Sequence, residues 1–125
     1  MANKMKIEKW EKNTQSANLA DIEAIADKYV FFDNEIAKPI PKLYKQDGLG
    51  DEAIVYVKFF CPWNSWTWYG LEFDGKDTFF GWVVGFEDEL GYFSLDELKS
   101  IEGPMGLKIE RDKFFKPTKL ADLRK

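Results

Sequence analysis

The sequence predicts an α+β domain organised on an antiparallel β-meander of three to five strands, with an N-terminal helix and short C-terminal helices. Three observations carry this. The segment Ala53–Phe93 holds 14 of the 21 aromatic residues. Within it, β-branched and aromatic runs are separated by turn residues, above all Asp74-Gly75, the pair that suits a tight hairpin. Upstream, Leu19, Ile22, Ile25, Ala26 and Tyr29 recur at three- and four-residue steps, the spacing of one apolar helix face.

Residues 1–15 are polar and mixed in charge, with Ile7 and Trp10 as the main apolar groups after Met5. They read as an arm or a short edge strand. Ser16 or Asn18 can cap the helix that follows, about Leu19 to Tyr29, and Asp21 falls in its first turn, where negative charge suits the dipole. Val30, Phe31 and Phe32 are too bulky for solvent and should turn towards the core. Asp33–Gly50 reads as a connector with Pro39 and Pro41 in extended backbone, Leu43 and Tyr44 as anchors on the sheet, and turn chemistry from Lys45 to Gly50.

Ala53–Phe60 is apolar at nearly every position and is expected as a central strand covered on both faces. Lys58 is its exception and needs a partner or an exit to water. Pro62 ends the strand, and Pro62–Ser65 forms a loop. In the next strand, Trp66–Phe73, alternation places Trp66, Trp68, Gly70 and Glu72 on one face and Thr67, Tyr69, Leu71 and Phe73 on the other. In Thr78–Phe86 the faces are Phe80, Trp82, Val84 and Phe86 against Phe79, Gly81, Val83 and Gly85, and those glycines predict a close neighbour. Glu87-Asp88-Glu89 reads as an acidic turn, and Leu90–Phe93 as a short fourth strand. Glu97 three residues after Ser94 makes a capping box for a helix from Leu95 to about Ser100. Leu107–Phe115 is expected to be extended, and Leu120 and Leu123 should dock a last short helix after Pro117-Thr118.

At 125 residues the chain is expected to be one domain, 1–125, large enough to bury a core without disulfides or metal. The net charge is −4 and is uneven. Residues 51–93 carry two basic and eight acidic side chains, which argues against general binding to phosphate backbones. Such a protein can still meet the basic surface of a nucleic-acid-binding protein. A single cysteine, Cys61, and an N-terminus without an apolar core segment favour a reducing, cytoplasmic location. No apolar run approaches a membrane span.

Chemistry is thinly represented. There is no histidine, so Cys61 has no imidazole partner and reads as a structural thiol. One cysteine cannot complete a usual zinc set. Neither a cofactor nor a metal is expected, and the protein is expected not to be an enzyme. The alternative places Glu72, Glu110 and Asp112 together at one end of the sheet around a divalent cation; spacing does not require it. The candidate partner-binding residues are the rims of the aromatic block: Trp63 in the first loop, Asp74 and Asp77 at the second turn, Glu87, Asp88 and Glu89 at the exit, and Glu110, Arg111 and Asp112 beyond. Each has a plainer reading, as core, solvated face or ion pair. Trp63 is the aromatic best placed for exposure, and with Trp66 it offers a second alternative, stacking on single-stranded nucleic acid.

Pro41-Lys42-Leu43-Tyr44, Lys58-Phe59-Phe60-Cys61-Pro62, Trp66-Thr67-Trp68-Tyr69, Phe80-Gly81, Gly85, Glu89-Leu90-Gly91-Tyr92-Phe93-Ser94, Ile109-Glu110-Arg111-Asp112 and Phe115-Lys116-Pro117-Thr118 occur in one order. In this the chain resembles a small bacterial family catalogued as a domain of unknown function and common on plasmids, phages and conjugative elements. The resemblance spans about Ile40 to Leu120; residues 1–38 depart from it. It implies an accessory role on mobile elements. The chain is also similar to a type II anti-CRISPR protein, which implies stoichiometric inhibition of an RNA-guided nuclease. The implied partner is that nuclease or its guide complex, with direct nucleic-acid binding as the lesser alternative and no membrane. No residue-level site comes with either resemblance.

Overall fold

The computed structural model describes residues 29–125. The expected arm at 1–15 and most of the expected helix from Leu19 lie outside them. Phe31–Lys125 forms one compact unit. Its strands are β1 (Ile54–Val55), β2 (Val57–Phe60), β3 (Thr67–Phe73), β4 (Thr78–Val84), β5 (Asp88–Ser94), β6 (Glu110–Arg111) and β7 (Thr118–Lys119). Its helices are α1 (Asn34–Ala37), α2 (Leu95–Ser100) and α3 (Leu120–Arg124). The architecture is thus mostly antiparallel sheet with a few short helices. No helix among the described residues is long and apolar enough to cross a membrane.

The expected meander is the centre of a five-stranded antiparallel sheet in the order β5-β4-β3-β2-β6. The fourth strand is longer than expected: β5 begins at Asp88 and pairs with β4 along its length. The acidic segment is therefore the start of a strand, and the turn before it is Gly85–Glu87. Among the described residues a second sheet holds β1 and β7.

Ala53–Phe60 is not one strand. It breaks at Tyr56, whose N–H bonds the Gly70 carbonyl at 2.9 Å. Before the break Ala53 and Val55 point into one core; after it Val57 and Phe59 point into another. The first core lies under Phe31, Phe32, Ile40 and α2. Phe59, Phe73 and Phe79 meet there, with Phe32 edge-on to Phe73 and Phe79 at 5.2 and 5.3 Å. Aromatic edges against faces suit the ring quadrupoles. The second core, on the other face, gathers Leu71, Trp82 and Leu120 with Tyr69 stacked on Trp82 at 5.1 Å.

The expected faces of β3 hold as far as Leu71, which shares the second core with Tyr69, and fail from Glu72. There the register shifts: Gly70 faces Gly81, but Glu72 faces Phe80. Leu71 is the extra residue of a β-bulge, and a bulge reverses the alternation beyond it. Phe73 therefore joins the phenylalanine core instead of facing with Tyr69, and Glu72 moves to the opposite face from Trp68. The predicted close neighbour of Gly81 is the backbone itself. A β-carbon at Gly81 would lie 1.8 Å from the Tyr69 carbonyl oxygen. Ser94 caps the helix as expected, its Oγ accepting the Glu97 N–H at 3.1 Å, and Leu120 docks the last helix at near-complete burial.

Candidate functional site

The β2–β3 loop and the β4–β5 turn share one end of the sheet; the β3–β4 turn lies at the other. The candidate residues are accordingly divided. Trp63 is half-buried and not freely exposed, because its indole lies over Gly103, within 2.4 Å of where a β-carbon would stand. Trp66 is also half-buried, packed on Trp68 at 5.9 Å and on Phe86 at 5.5 Å. Each of the two tryptophans therefore shows only part of its surface to solvent.

At the far end, Asp74 and Asp77 are occupied within the chain. Asp74 Oδ1 accepts the N–H groups of Lys76, Asp77 and Thr78 at 2.8, 2.8 and 3.0 Å. The amides of Lys76 and Asp77, in that order, do most to hold its carboxyl below the usual aspartate range. Asp77 Oδ2 accepts the Ser94 hydroxyl at 2.6 Å, and its Oδ1 accepts the Asp96 N–H at 2.7 Å. Asp77 thus seats the N-terminus of α2.

Glu110, Arg111 and Asp112 sit at the β6 edge. Glu110 is exposed opposite Phe60. Arg111 donates from Nε to the Phe31 carbonyl at 3.0 Å, which ties β6 to the cover of the first core. Asp112 lies 3.9 Å from Lys58, whose ammonium is 5.9 Å from the Tyr69 ring centre. That is the partner Lys58 needed. Burial, then the Asp112 charge, push the Tyr69 hydroxyl above its ordinary value.

The alternative gathering of Glu72, Glu110 and Asp112 does not occur. Glu110 is level with Phe60 and Thr67, five residues along β3 from Glu72, or roughly 15 Å at strand spacing. Among the described residues no cluster of three or more acidic or thiol side chains is arranged for a metal ion.

Two outward features lie on the β5 side of the sheet. One is the β5 edge with its preceding turn. Glu87, Asp88 and Glu89 are exposed, beside Phe86 at 95%, Leu90 at 45% and Tyr92 at 56% exposure. Asp88 also accepts the Trp82 indole N–H at 3.2 Å. The other is a cavity of about 230 Å³ on the same face, lined by Tyr44, Asp47, Glu72, Phe80, Leu90 and Tyr92 among others.

The floor of that cavity was not foreseen. Glu72 is 4% exposed, and its two oxygens accept the N–H groups of Tyr44 at 2.8 Å and Gln46 at 2.7 Å. Gln46, which reads in the sequence as a turn residue, is a clamp. Its amide group donates to the carbonyls of Ile54 and Leu71 at 2.8 and 3.0 Å and accepts the Ile54 N–H at 2.7 Å. The carbonyl of the bulged residue is thereby satisfied. Tyr44 holds a left-handed backbone (φ 73°), a conformation costing a non-glycine residue about 1–2 kcal/mol. Its ring is 66% exposed, so its backbone, and not its ring, anchors the segment. The only sequence sign of this arrangement is an acid inside an otherwise apolar strand.

No curated protein and no solved structure matches the chain. Residues 33–122 match the family described as "Protein of unknown function (DUF2958)". That span is well over half of the chain, includes every strand, the first two helices and the start of α3, and establishes that the protein belongs to the DUF2958 family.

Proposed function

We propose that this protein acts without catalysis, by stoichiometric binding to another protein, as a counter-defence inhibitor of a type II RNA-guided nuclease encoded against mobile elements. The observation that carries the binding reading is the β5 edge. Among the described residues it is one of the two outer strands of the five-stranded sheet, and the longer one. It shows exposed Phe86, Leu90 and Tyr92 next to exposed Glu87, Asp88 and Glu89. Apolar anchors bordered by charge are the anatomy of an interface, and an open strand edge can itself accept a partner.

The negative border favours a basic partner. An RNA-guided nuclease holds its nucleic acids in a positively charged channel, and charge complementarity speeds and orients such encounters. The choice of this nuclease among basic proteins is supported by the resemblance to a type II anti-CRISPR protein.

A cleavage assay with the guide-loaded nuclease tests the reading. Cutting should fall in proportion to added protein and stop near equimolar amounts. Full cutting at a large molar excess sinks it. The double variant Glu87→Lys/Glu89→Lys, which leaves the Asp88–Trp82 bond in place, should inhibit far less while keeping the native circular dichroism spectrum.

A further inference from the structure

The cavity beside β5 has a composition that selects its ligand by charge and shape. Its lining includes two carboxylates, Glu72 and Asp47, and three aromatic rings, Tyr44, Phe80 and Tyr92, and it includes no lysine or arginine. Each Glu72 oxygen accepts one backbone amide, and a carboxylate has about four acceptor positions. Capacity therefore remains on a group too buried to be rotated freely into water. An apolar occupant would leave that capacity facing hydrocarbon, which is unfavourable. An anion would be repelled. A hard divalent cation would want more oxygen ligands than are gathered here.

A planar or alkylated organic cation meets all three requirements. Its N–H groups satisfy carboxylate and phenol oxygens, and its face or alkyl stem lies against the rings. The rim points the same way. The Tyr92 hydroxyl is pushed above the ordinary tyrosine value, first by its hydrogen bond with Tyr44, then by burial, then by Tyr44, Glu72 and Asp47. The mouth is formed partly by Tyr92 and Leu90 of the edge strand, so a protein seated on β5 passes directly over it.

We propose that this cavity receives the guanidinium of an arginine, or the ammonium of a lysine, presented by the protein partner that docks on β5. The inference rests on the partner-binding reading above and adds the residue that the partner must supply.

The test is a titration of the ¹⁵N-labelled protein with agmatine, and separately with a short acetylated arginine peptide, at matched ionic strength. Both should give saturable shifts of the Tyr44, Gln46 and Tyr92 amide signals, and magnesium chloride should not. The exposed-rim variant Tyr92→Ala should weaken the response roughly tenfold while retaining the rest of the spectrum. Absence of saturable shifts, or shifts that Tyr92→Ala leaves intact, overturns the proposal, as does a response to magnesium alone. Binding of agmatine but not of the peptide replaces it with a free-amine site. If the peptide binds while the nuclease keeps cutting, the pocket stands and the nuclease reading falls. If the nuclease is inhibited and the amide signals stay still, the reverse holds.

Discussion

The Glu72 carboxylate accepts the backbone N–H of Gln46 at 2.7 Å, across twenty-six residues of sequence. With the Tyr44 bond beside it, this fastens the loop before β1 onto the C-terminal end of β3. Removing the acceptor strands two amides against a closed surface. Glu72→Leu is expected to cost about 3–6 kcal/mol, at about 1.5–3 for each of the two hydrogen bonds to a charged group. Glu72→Gln, which keeps one acceptor oxygen, should cost less. Urea denaturation at constant m value measures both.

Gly81 and Gly91 face each other across β4 and β5, yet they should respond differently to one added methyl group. At Gly81 the new carbon would meet the Tyr69 carbonyl; at Gly91 nothing lies within 4 Å. Gly81→Ala is expected to destabilise by about 3 kcal/mol or more, since backbone has to move. Gly91→Ala should stay within about 0.5 kcal/mol of neutral or gain slightly through the unfolded chain. Parallel thermal melts of the two variants decide it.

Acid should loosen the β3–β4 turn through Asp74. Its folded pKa is lowered, chiefly by the amides of Lys76 and Asp77. The associated stability is therefore present above the ordinary aspartate value of 3.8 and is lost as pH falls through the lower folded value. The carboxylate is only partly buried, so the effect should be small and should shrink with salt. Asp74→Asn should flatten that acid limb in a stability-against-pH profile; an unchanged profile would contradict the assignment.

The start of α2 depends on two side chains acting together. Asp77 accepts from the Ser94 hydroxyl and the Asp96 amide, and Ser94 accepts from the Glu97 amide. Asp77→Ala and Ser94→Ala should each cost about 1 kcal/mol, the usual worth of a helix cap. Because the two are bonded to each other, the double variant should cost less than the sum of the singles. A double-mutant cycle in urea measures the coupling.

What was legible in the sequence was whatever local chemistry decides. The meander, the Asp74-Gly75 turn, the Ser94 cap on α2 and the docking of Leu120 all follow from neighbours a few residues apart. The misread features depend on residues far apart in the chain. The bulge at Leu71 is stabilised by Gln46 and reverses the faces of Glu72 and Phe73. Trp63 is covered by Gly103, forty residues later. The nine candidate partner residues read in the sequence as one set of rims. The fold instead places Trp63 and Glu87–Glu89 at one end, gives Asp74 and Asp77 structural hydrogen bonds at the other, and sends Glu110–Asp112 to the opposite edge. The cavity could not be read from spacing because its walls come from a loop and three strands.

The break at Tyr56 bears on how the protein comes apart. Residues on its two sides, Val55 and Val57, are each locked in a different core and lie only two positions apart. Neither core can melt without dragging the other's backbone out of register. Phe31–Lys125 should therefore unfold in a single cooperative step, with calorimetric and van't Hoff enthalpies equal and no species in which one face of the sheet stays packed while the other is fluid.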